Sequence, residues 1–115
     1  MWRLSDPAAF PALRASRQRI RRGPLSIAWV EGSADEPPRV AYAIAKRVGN
    51  AVERNRLRRR LRVLMAELDP APGSYLVSVA PAATALSYDD LKSLVSGAIS
   101  ALAASTHTAL EGSSR

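Results

Sequence analysis

The sequence of 115 residues has no cysteine and only one histidine, His107. Without cysteine, the chain forms neither disulfide bonds nor thiolate-based catalytic or zinc sites. A single histidine, placed among serines and threonines near the end of the chain, makes a histidine-based metal site or catalytic triad improbable. We therefore do not expect the protein to hydrolyse a substrate with its own side chains.

Long apolar runs are also missing from the sequence. No segment approaches the roughly 20 apolar residues of a membrane-spanning helix, and residues 1–6 lack the apolar core of a signal peptide. The sequence therefore predicts a protein of the cytoplasm with no membrane partner. Its length predicts one domain with a modest hydrophobic core.

Acidic residues are few, since ten Asp and Glu stand against seventeen Lys and Arg, and the formal net charge is +7. The hydrophobic content of 47% is ordinary for a globular chain and too high for a disordered basic tail. A folded, basic protein of this kind is expected to bind a polyanion rather than a small-molecule substrate.

Hydrophobic periodicity predicts the order helix, strand, strand, helix, strand, helix, which is typical of a mixed α/β layer structure. Ser, Asp and Pro favour a first helix over 5–16, and the basic segment 17–24 is predicted as a loop or an edge segment. Alternating residues predict strands over 25–30 and 40–45, which we expect to form an antiparallel pair.

The second half of the chain begins with the strongest predicted helix, over 50–68. A nearly continuous apolar run predicts a central strand over 74–80, and a short additional strand is considered at 82–86. The final helix is predicted from 87 to about 104. Residues 105–115 are small and polar, and we expect them to form a disordered tail after a single domain of residues 1–104.

The two predicted N-terminal strands carry large apolar side chains on one face and small side chains on the other. The small residues are Ser26, Ala28, Ala41, Ala43 and Ala45. Such a face either packs closely beneath the first helix or forms the floor of a ligand groove, and the pattern alone leaves both interpretations open.

The basic residues are concentrated in the segment 46–62, where eight Lys or Arg and one acid, Glu53, give a net charge of +7. On a helical wheel the leucines of this segment form one stripe and the arginines surround it. Few acids lie one turn away, so charge repulsion costs stability unless an external anion binds. Seven of the eight are arginines, whose planar guanidinium suits phosphates and bases, which favours nucleic acid over a merely solvated face.

The sequence KRVGNAV at 46–52, followed by RNRLRR at 54–59, resembles the signature of the protein subunit of bacterial ribonuclease P. The similarity covers residues 3–103 and includes the strand before the motif and the C-terminal half of the chain. It implies an α+β two-layer sandwich, similar to a ribosomal protein, with a mixed four-stranded sheet and three helices. It also implies a left-handed connection in the central strand–helix–strand unit, an exception to the usual rule.

The resemblance implies a role in a ribonucleoprotein. In this family a catalytic RNA subunit hydrolyses precursor tRNA with Mg²⁺, which the RNA mainly binds, and releases the 5′ leader. The protein binds the ribonuclease P RNA and the leader and contributes no catalytic or metal-binding residue of its own.

The resemblance also assigns RNA contacts to positions of the predicted helix 50–68 and of the residues just before it, which we call the lead-in. These positions are Lys46, Arg47, Asn50, Arg54, Asn55, Arg56, Arg58, Arg59 and Arg62. A cleft between the first helix and the sheet is expected to hold the leader, lined by Phe10, Arg14, Ser26, Ala28, Ala41, Ala43 and Ala45.

Three residues bear on the geometry of this cleft. The resemblance makes Phe10 a contact for the leader, whereas periodicity alone equally fits a core residue beneath the first helix. Arg14 stands where the family commonly has a second aromatic residue, and Ala80 stands where it usually has an arginine.

Other functions share some of these features. A structural RNA-binding protein of the ribosomal type, with no role in cleavage, would have the same basic helix and fold class. A DNA-binding module is disfavoured because no helix-turn-helix partner or zinc ligands accompany the arginines. A protein-only nuclease needs clustered carboxylates, whereas Asp89 and Asp90 suit the first turn of a helix.

Overall fold

The computed structural model describes residues 2–3, 18–32 and 35–113, with side chains described for 18–32 and 35–104. The described strands are β1 (Trp2–Arg3), β2 (Arg19–Arg22), β3 (Leu25–Glu31), β4 (Arg39–Ala43) and β5 (Gly73–Val79). The described α-helices are Ala51–Leu68, which we call the arginine-rich helix, and Tyr88–Ser113, which we call the final helix. The first helix expected over 5–16 lies outside the described residues.

The strands form one sheet in the order β1-β4-β5-β3-β2. β5 lies at the centre, antiparallel to β3 and parallel to β4. The antiparallel pairing predicted for the strands at 25–30 and 40–45 is therefore wrong. Tyr75, Leu76 and Val77 are all buried, so β5 is covered on both faces and takes the place between β3 and β4.

Four of these strands are four to seven residues long and make up the body of the mixed sheet. The two-residue strand β1 adds a fifth, parallel to β4. The segment 17–24, expected as a loop or an edge segment, contains the edge strand β2, which pairs with β3 through a turn at Gly23. The strand considered at 82–86 is wrong.

The segment after β5 forms the 3₁₀ helix Pro81–Ala85. Pro81 fixes its own backbone angle at the start of the turn and donates no backbone hydrogen bond to a sheet. The Ala83 N–H donates to the carbonyl of Ala80 (3.0 Å), and the Thr84 hydroxyl donates to the carbonyl of Pro81 (2.9 Å). These local hydrogen bonds replace those of a strand.

The arginine-rich helix connects β4 to its parallel neighbour β5. A tight hairpin cannot join parallel strands, so the chain crosses over through these 18 helical residues. The helix ends at Leu68, and Asp69 adopts the left-handed conformation (φ 45°) while its N–H donates to the carbonyl of Met65. The left-handed sense of the connection stays a prediction of the resemblance.

Both described helices pack on one face of the sheet and bury a common core. The arginine-rich helix contributes Leu57, Leu61, Leu64 and Met65, as its leucine stripe predicts. The final helix contributes Leu91, Val95, Ala98 and Leu102, also at the spacing of one helical face. The sheet contributes residues that alternate along β3, β4 and β5, including Ile27, Val40 and Val77.

The final helix begins where the Ser87 hydroxyl accepts a hydrogen bond from the Asp90 N–H (3.1 Å), which is one half of the predicted capping box. The backbone continues as helix to Ser113, past the boundary at Ala104 and through most of the expected tail. No glycine or proline interrupts residues 98–111, so local propensity continues the helix beyond its last buried residue, Leu102. Neither described helix is long and apolar enough to cross a bilayer.

Two aromatic side chains fix the loop between the arginine-rich helix and β5. The Trp29 indole N–H donates to the carbonyl of Pro72 (3.3 Å), and the Tyr75 hydroxyl donates to the carbonyl of Ala71 (2.6 Å). Their ring centroids lie 6.3 Å apart. Gly73 begins β5 at φ 140°, and a Cβ atom there would overlap the Trp29 indole and the carbonyl of Val30.

Candidate nucleic-acid interface

The lead-in to the arginine-rich helix is the 3₁₀ helix Lys46–Val48, which follows β4. Val48 is buried in the core, and its N–H donates to the carbonyl of Ala45 (3.0 Å). Lys46 and Arg47 are exposed on the same turn. One buried apolar residue therefore anchors a turn that directs two cationic residues into solvent.

Asn50 begins the arginine-rich helix through a complete capping box, as predicted. Its side-chain oxygen accepts from the Glu53 N–H (2.8 Å), and Glu53 Oε1 accepts from the Asn50 N–H (3.2 Å). Gly49 has an extended backbone that any residue can adopt, but a Cβ atom there would lie 2.9 Å from Glu53 Oε1. Glycine at this position leaves room for the carboxylate of the cap.

Hydrogen bonds tie two of the motif side chains to their surroundings. Arg54 Nε donates to the carbonyl of Gly49 (3.2 Å), which joins the helix to its lead-in. Arg58 donates from a guanidinium nitrogen to Asn55 Oδ1 (3.2 Å), one turn away. These contacts orient Arg54 and Arg58, which are half-buried, while Asn55 stays exposed.

The remaining arginines of the motif point away from the leucine stripe. Arg56, Arg59 and Arg62 are exposed, and Arg60, which the resemblance does not assign to RNA, is half-buried. Within the part of the chain that the structure describes, no carboxylate lies within 4.0 Å of a guanidinium nitrogen of this helix. The positive charge of the helix is therefore left for an external anion to neutralise.

Arg62 also lies near the sheet. Burial raises the pKa of the Tyr42 hydroxyl on β4 to about 12, and the positive charge of Arg62 acts in the opposite direction. A positive charge stabilises the ionised form of a hydroxyl, so Arg62 partly offsets the effect of burial on Tyr42.

The opposite face of the sheet carries the small residues expected to form a cleft floor. Strand register aligns Ala28 with Leu76 and Leu76 with Ala41, and all three are buried. The next row aligns Ser26 with Ser78 and Ser78 with Ala43, and here Ser26 is half-buried and Ala43 exposed. Four of the five expected floor residues therefore share one face, as alternation predicts.

Of four other positions expected near the cleft, two fall elsewhere and two lie outside the described residues. Ala45 is exposed and lies beyond the end of β4, in the connection to the lead-in. Ala80 follows β5 and donates its N–H to the carbonyl of Pro24 (2.8 Å). Phe10 and Arg14 lie outside the described residues, so their assignment to the cleft stays a prediction.

Comparison with known proteins identifies the family. A sequence profile described as Ribonuclease P matches residues 1–103 of the chain. The chain belongs to the ribonuclease P protein family. The "Ribonuclease P protein component" of Thermobifida fusca is 38% identical to it over 101 residues, 79% of this chain and 68% of the relative. That of Clavibacter michiganensis is 31% identical over 100 residues, 84% of this chain and 88% of the relative.

Solved ribonuclease P proteins have the same fold. A Staphylococcus aureus RNase P protein, described as a mutant with defective mRNA degradation activity, superposes with a TM-score of 0.78 at 16% identity and 86% coverage of both chains. The RNase P protein from Thermotoga maritima superposes with a TM-score of 0.74 at 13% identity, covering 86% of this chain and 96% of that one. The fold is thus shared across distant sequences.

A ribonuclease P protein is one component of an endoribonuclease that also contains an RNA subunit. This RNA is a polyanion, and the basic helix is a surface of opposite charge. Among the described side chains, no group of three or more His, Asp or Glu is arranged to hold a metal ion. The charge and geometry of the arginine-rich helix fit an RNA-binding component.

Proposed function

We propose that the chain binds the ribonuclease P RNA through the arginine-rich helix and its lead-in, and the 5′ leader of precursor tRNA on the opposite face of the sheet. In this proposal the RNA subunit performs the Mg²⁺-dependent hydrolysis that releases the leader and forms the mature 5′ end. The observation that carries the proposal is the set of exposed helix arginines without carboxylate partners among the described residues.

The contact with the RNA subunit rests on how the helix presents its charge. The buried leucines hold one side of the helix against the sheet, so the exposed guanidinium groups are positioned before the RNA arrives. Guanidinium groups bind phosphate oxygens with paired hydrogen bonds. The residues proposed for this contact are Lys46, Arg47, Asn50, Arg54, Asn55, Arg56, Arg58, Arg59 and Arg62.

The leader contact rests on the small residues of the other sheet face. Ser26 and Ala43 have side chains short enough for a ribose or base to approach the strands, and the Ser26 hydroxyl is a hydrogen-bond donor and acceptor. Ala28 and Ala41 form the buried part of the same floor. We assign Phe10, Arg14 and Ala45 to the rim of this cleft by resemblance to the family.

The protein contributes binding and orientation to the reaction. Both the RNA subunit and the precursor tRNA are polyanions, and their approach is opposed by charge repulsion. Basic residues on one helix and a neutral floor on the opposite face allow the chain to contact both at once. The RNA supplies the site for Mg²⁺, and the protein lowers the ion concentration needed to hold the two RNAs together.

The decisive experiment is leader removal from a precursor tRNA at low Mg²⁺, with the protein alone, a bacterial ribonuclease P RNA alone, and both together. We expect strong cleavage only with both components. Cleavage by the protein alone would reveal an active site in the chain. RNA binding without faster cleavage would instead identify a structural RNA-binding protein of the ribosomal type.

A matched pair of variants extends this experiment. The double variant Arg58→Gln and Arg59→Gln removes two charges from the helix, and Lys92→Gln removes an exposed charge from the final helix. We expect the first to lose stimulation of the RNA at low Mg²⁺ and to regain it at high Mg²⁺, because more ions then offset the missing charges. The second should behave as the unmodified protein.

A further inference from the structure

Strand β2 is a second concentration of positive charge, separate from the arginine-rich helix. Three of its four residues are arginines, and all three are exposed: Arg19, Arg21 and Arg22. β2 lies at the edge of the sheet and pairs with β3. Within the described part of the chain, neither Arg21 nor Arg22 lies within 4.0 Å of a carboxylate oxygen.

Strand register determines which face each of these residues occupies. Ile20 and Arg22 align with Ile27 and Leu25 of the core, and Ile20 packs against that core. Arg19 aligns with Ala28 and Arg21 with Ser26, and paired residues of antiparallel strands lie on the same face. Arg19 and Arg21 therefore stand on the face of the cleft floor.

Each of these two arginines ends a row of residues that crosses the sheet. The first row runs from Arg19 through Ala28, Leu76 and Ala41, and its apolar members are buried. The second row consists of Arg21, Ser26, Ser78 and Ala43, of which both serines are half-buried and both ends are exposed. This second row is the open, polar part of the floor.

The second row has an arginine at one end, and its other end leads along the chain to two more basic residues. Arg21 is at the β2 edge, and Ala43 ends β4, after which Ile44 and Ala45 connect to the exposed Lys46 and Arg47. Neighbouring strands are about 4.8 Å apart, so the row crosses roughly 14 Å of sheet. The row itself contains two serine hydroxyls and no acidic residue.

A flexible single strand of RNA fits this arrangement better than a rigid duplex. Its phosphates can bind guanidinium groups while its riboses and bases approach the small residues between them. Base-paired RNA presents phosphates and 2′-hydroxyls on a stiff surface and keeps its bases stacked inside.

We propose that Arg19 and Arg21 extend the single-stranded RNA site to the β2 edge of the sheet, where they bind backbone phosphates of the precursor's 5′ leader. The leader then crosses the sheet from the lead-in at Lys46 toward β2. This inference rests on the proposed function, because it uses the same floor, and it adds residues that the motif does not contain. Longer leaders reach these two arginines and the shortest leaders do not.

The test compares two precursor tRNAs bound by the reconstituted holoenzyme, one with a leader of one nucleotide and one with a leader long enough to cross the sheet. The double variant Arg19→Gln and Arg21→Gln should bind the long-leader precursor several-fold more weakly and the short-leader precursor unchanged. Its salt dependence for the long leader should fall by about 0.7 in log–log slope for each phosphate that is no longer neutralised.

Arg22→Gln is the matched control, because it removes one charge from the same strand on the other face. Its affinity for both precursors should equal that of the unmodified holoenzyme. Equal losses of affinity in Arg22→Gln and in the single variant Arg21→Gln would overturn the proposal, since the effect would then be nonspecific charge. The proposal would also be overturned if the double variant bound the long-leader precursor with full affinity, whether or not it self-associated through β2. The arginines would then be identified as charges that prevent pairing of this edge strand with other chains.

Failure of the further inference is distinguishable from failure of the proposed function. The unmodified protein must first bind the RNA subunit and stimulate cleavage of the long-leader precursor; if it does not, the proposed function is wrong. If it does, and the arginine variants retain leader-length dependence, only the assignment of the β2 edge is wrong. Unfolding curves of the single variants Arg21→Gln and Arg22→Gln should match that of the unmodified protein, because both arginines are exposed, and the unfolding curve of the double variant separates a loss of stability from a loss of affinity.

Discussion

Asn50 and Glu53 cap the arginine-rich helix reciprocally, each side chain accepting a hydrogen bond from the backbone N–H of the other. This pair lies between the lead-in and the first arginine of the motif. The cap therefore determines where the helix begins and how its basic residues are presented. The RNA contact proposed at Asn50 therefore coincides with the helix cap, and two substitutions separate the two roles.

Asn50→Ala should destabilise the protein by about 1 kcal/mol, because it leaves the Glu53 N–H without its acceptor. Asn50→Asp keeps an acceptor oxygen and adds a negative charge at the helix N-terminus, so it should restore stability. It should not restore affinity for the RNA subunit, since the new charge repels phosphate. Urea unfolding and RNA-binding measurements on both variants check this, and recovery of affinity by Asp would show that Asn50 acts only as a cap.

The double variant Arg58→Gln and Arg59→Gln should weaken binding to the ribonuclease P RNA and leave the free energy of unfolding nearly unchanged. Neither residue belongs to the buried leucine stripe. The log–log slope of affinity against salt should become shallower by about 0.7 to 0.9 for each phosphate that the variant no longer neutralises. Lys92→Gln is the control for the removal of charge alone. A collapse in thermal stability would show that these arginines support the fold instead.

Gly73→Ala and Gly97→Ala should change stability in opposite directions. Gly73 has φ 140°, and an added Cβ would overlap Trp29 and the Val30 carbonyl, so we expect a loss of about 1 to 3 kcal/mol. Gly97 lies in the final helix with nothing within 4 Å of an added Cβ, so alanine should stabilise the protein by about 0.5 to 1 kcal/mol. Thermal unfolding of the two variants measures both effects, and the same sign for both would contradict the described backbone.

The stability of the protein should decrease at high pH. Burial raises the pKa of the Tyr75 hydroxyl from 10.0 to about 12. Burial also raises the pKa of the Tyr42 hydroxyl from 10.0 to about 12, although the positive charge of Arg62 acts in the opposite direction. Above pH 10 the unfolded chain loses protons that the folded chain retains, so stability is complete below pH 10 and decreases toward pH 12. Urea unfolding across this range checks the direction. Tyr42→Phe should make the decrease shallower, whereas constant stability across this range would show that neither hydroxyl is shielded from water.

The sequence predicts both described helices well because their determinants are local. A stripe repeating every three or four residues identifies the buried side of each helix, and Asn50 with Glu53 marks a helix start within four residues. The arginines from 54 to 62 are therefore placed correctly on one helix, outside its buried leucine stripe. The polar composition after Ala104 predicts a tail, whereas helix propensity continues the final helix to Ser113.

Strand neighbours could not be predicted in the same way. Alternation assigns Ser26, Ala28, Ala41 and Ala43 to one face, but it does not reveal which strand lies beside which. Closeness in the sequence favours pairing of β3 with β4, whereas the structure inserts β5 between them. Without the strand pairing, the row from Arg21 to Ala43 could not be predicted either. β2 is short and basic, and only its register with β3 identifies it as part of the sheet.

The central position of β5 has a consequence for how the protein is made. Until Gly73–Val79 has been synthesised, no strand can join the β2–β3 pair to the β1–β4 pair. The arginine-rich helix precedes β5 in the chain, so its leucines gain their complete packing surface only after β5 is made. We therefore expect the compact fold, with its arginines held in place, to form only once this central strand is available.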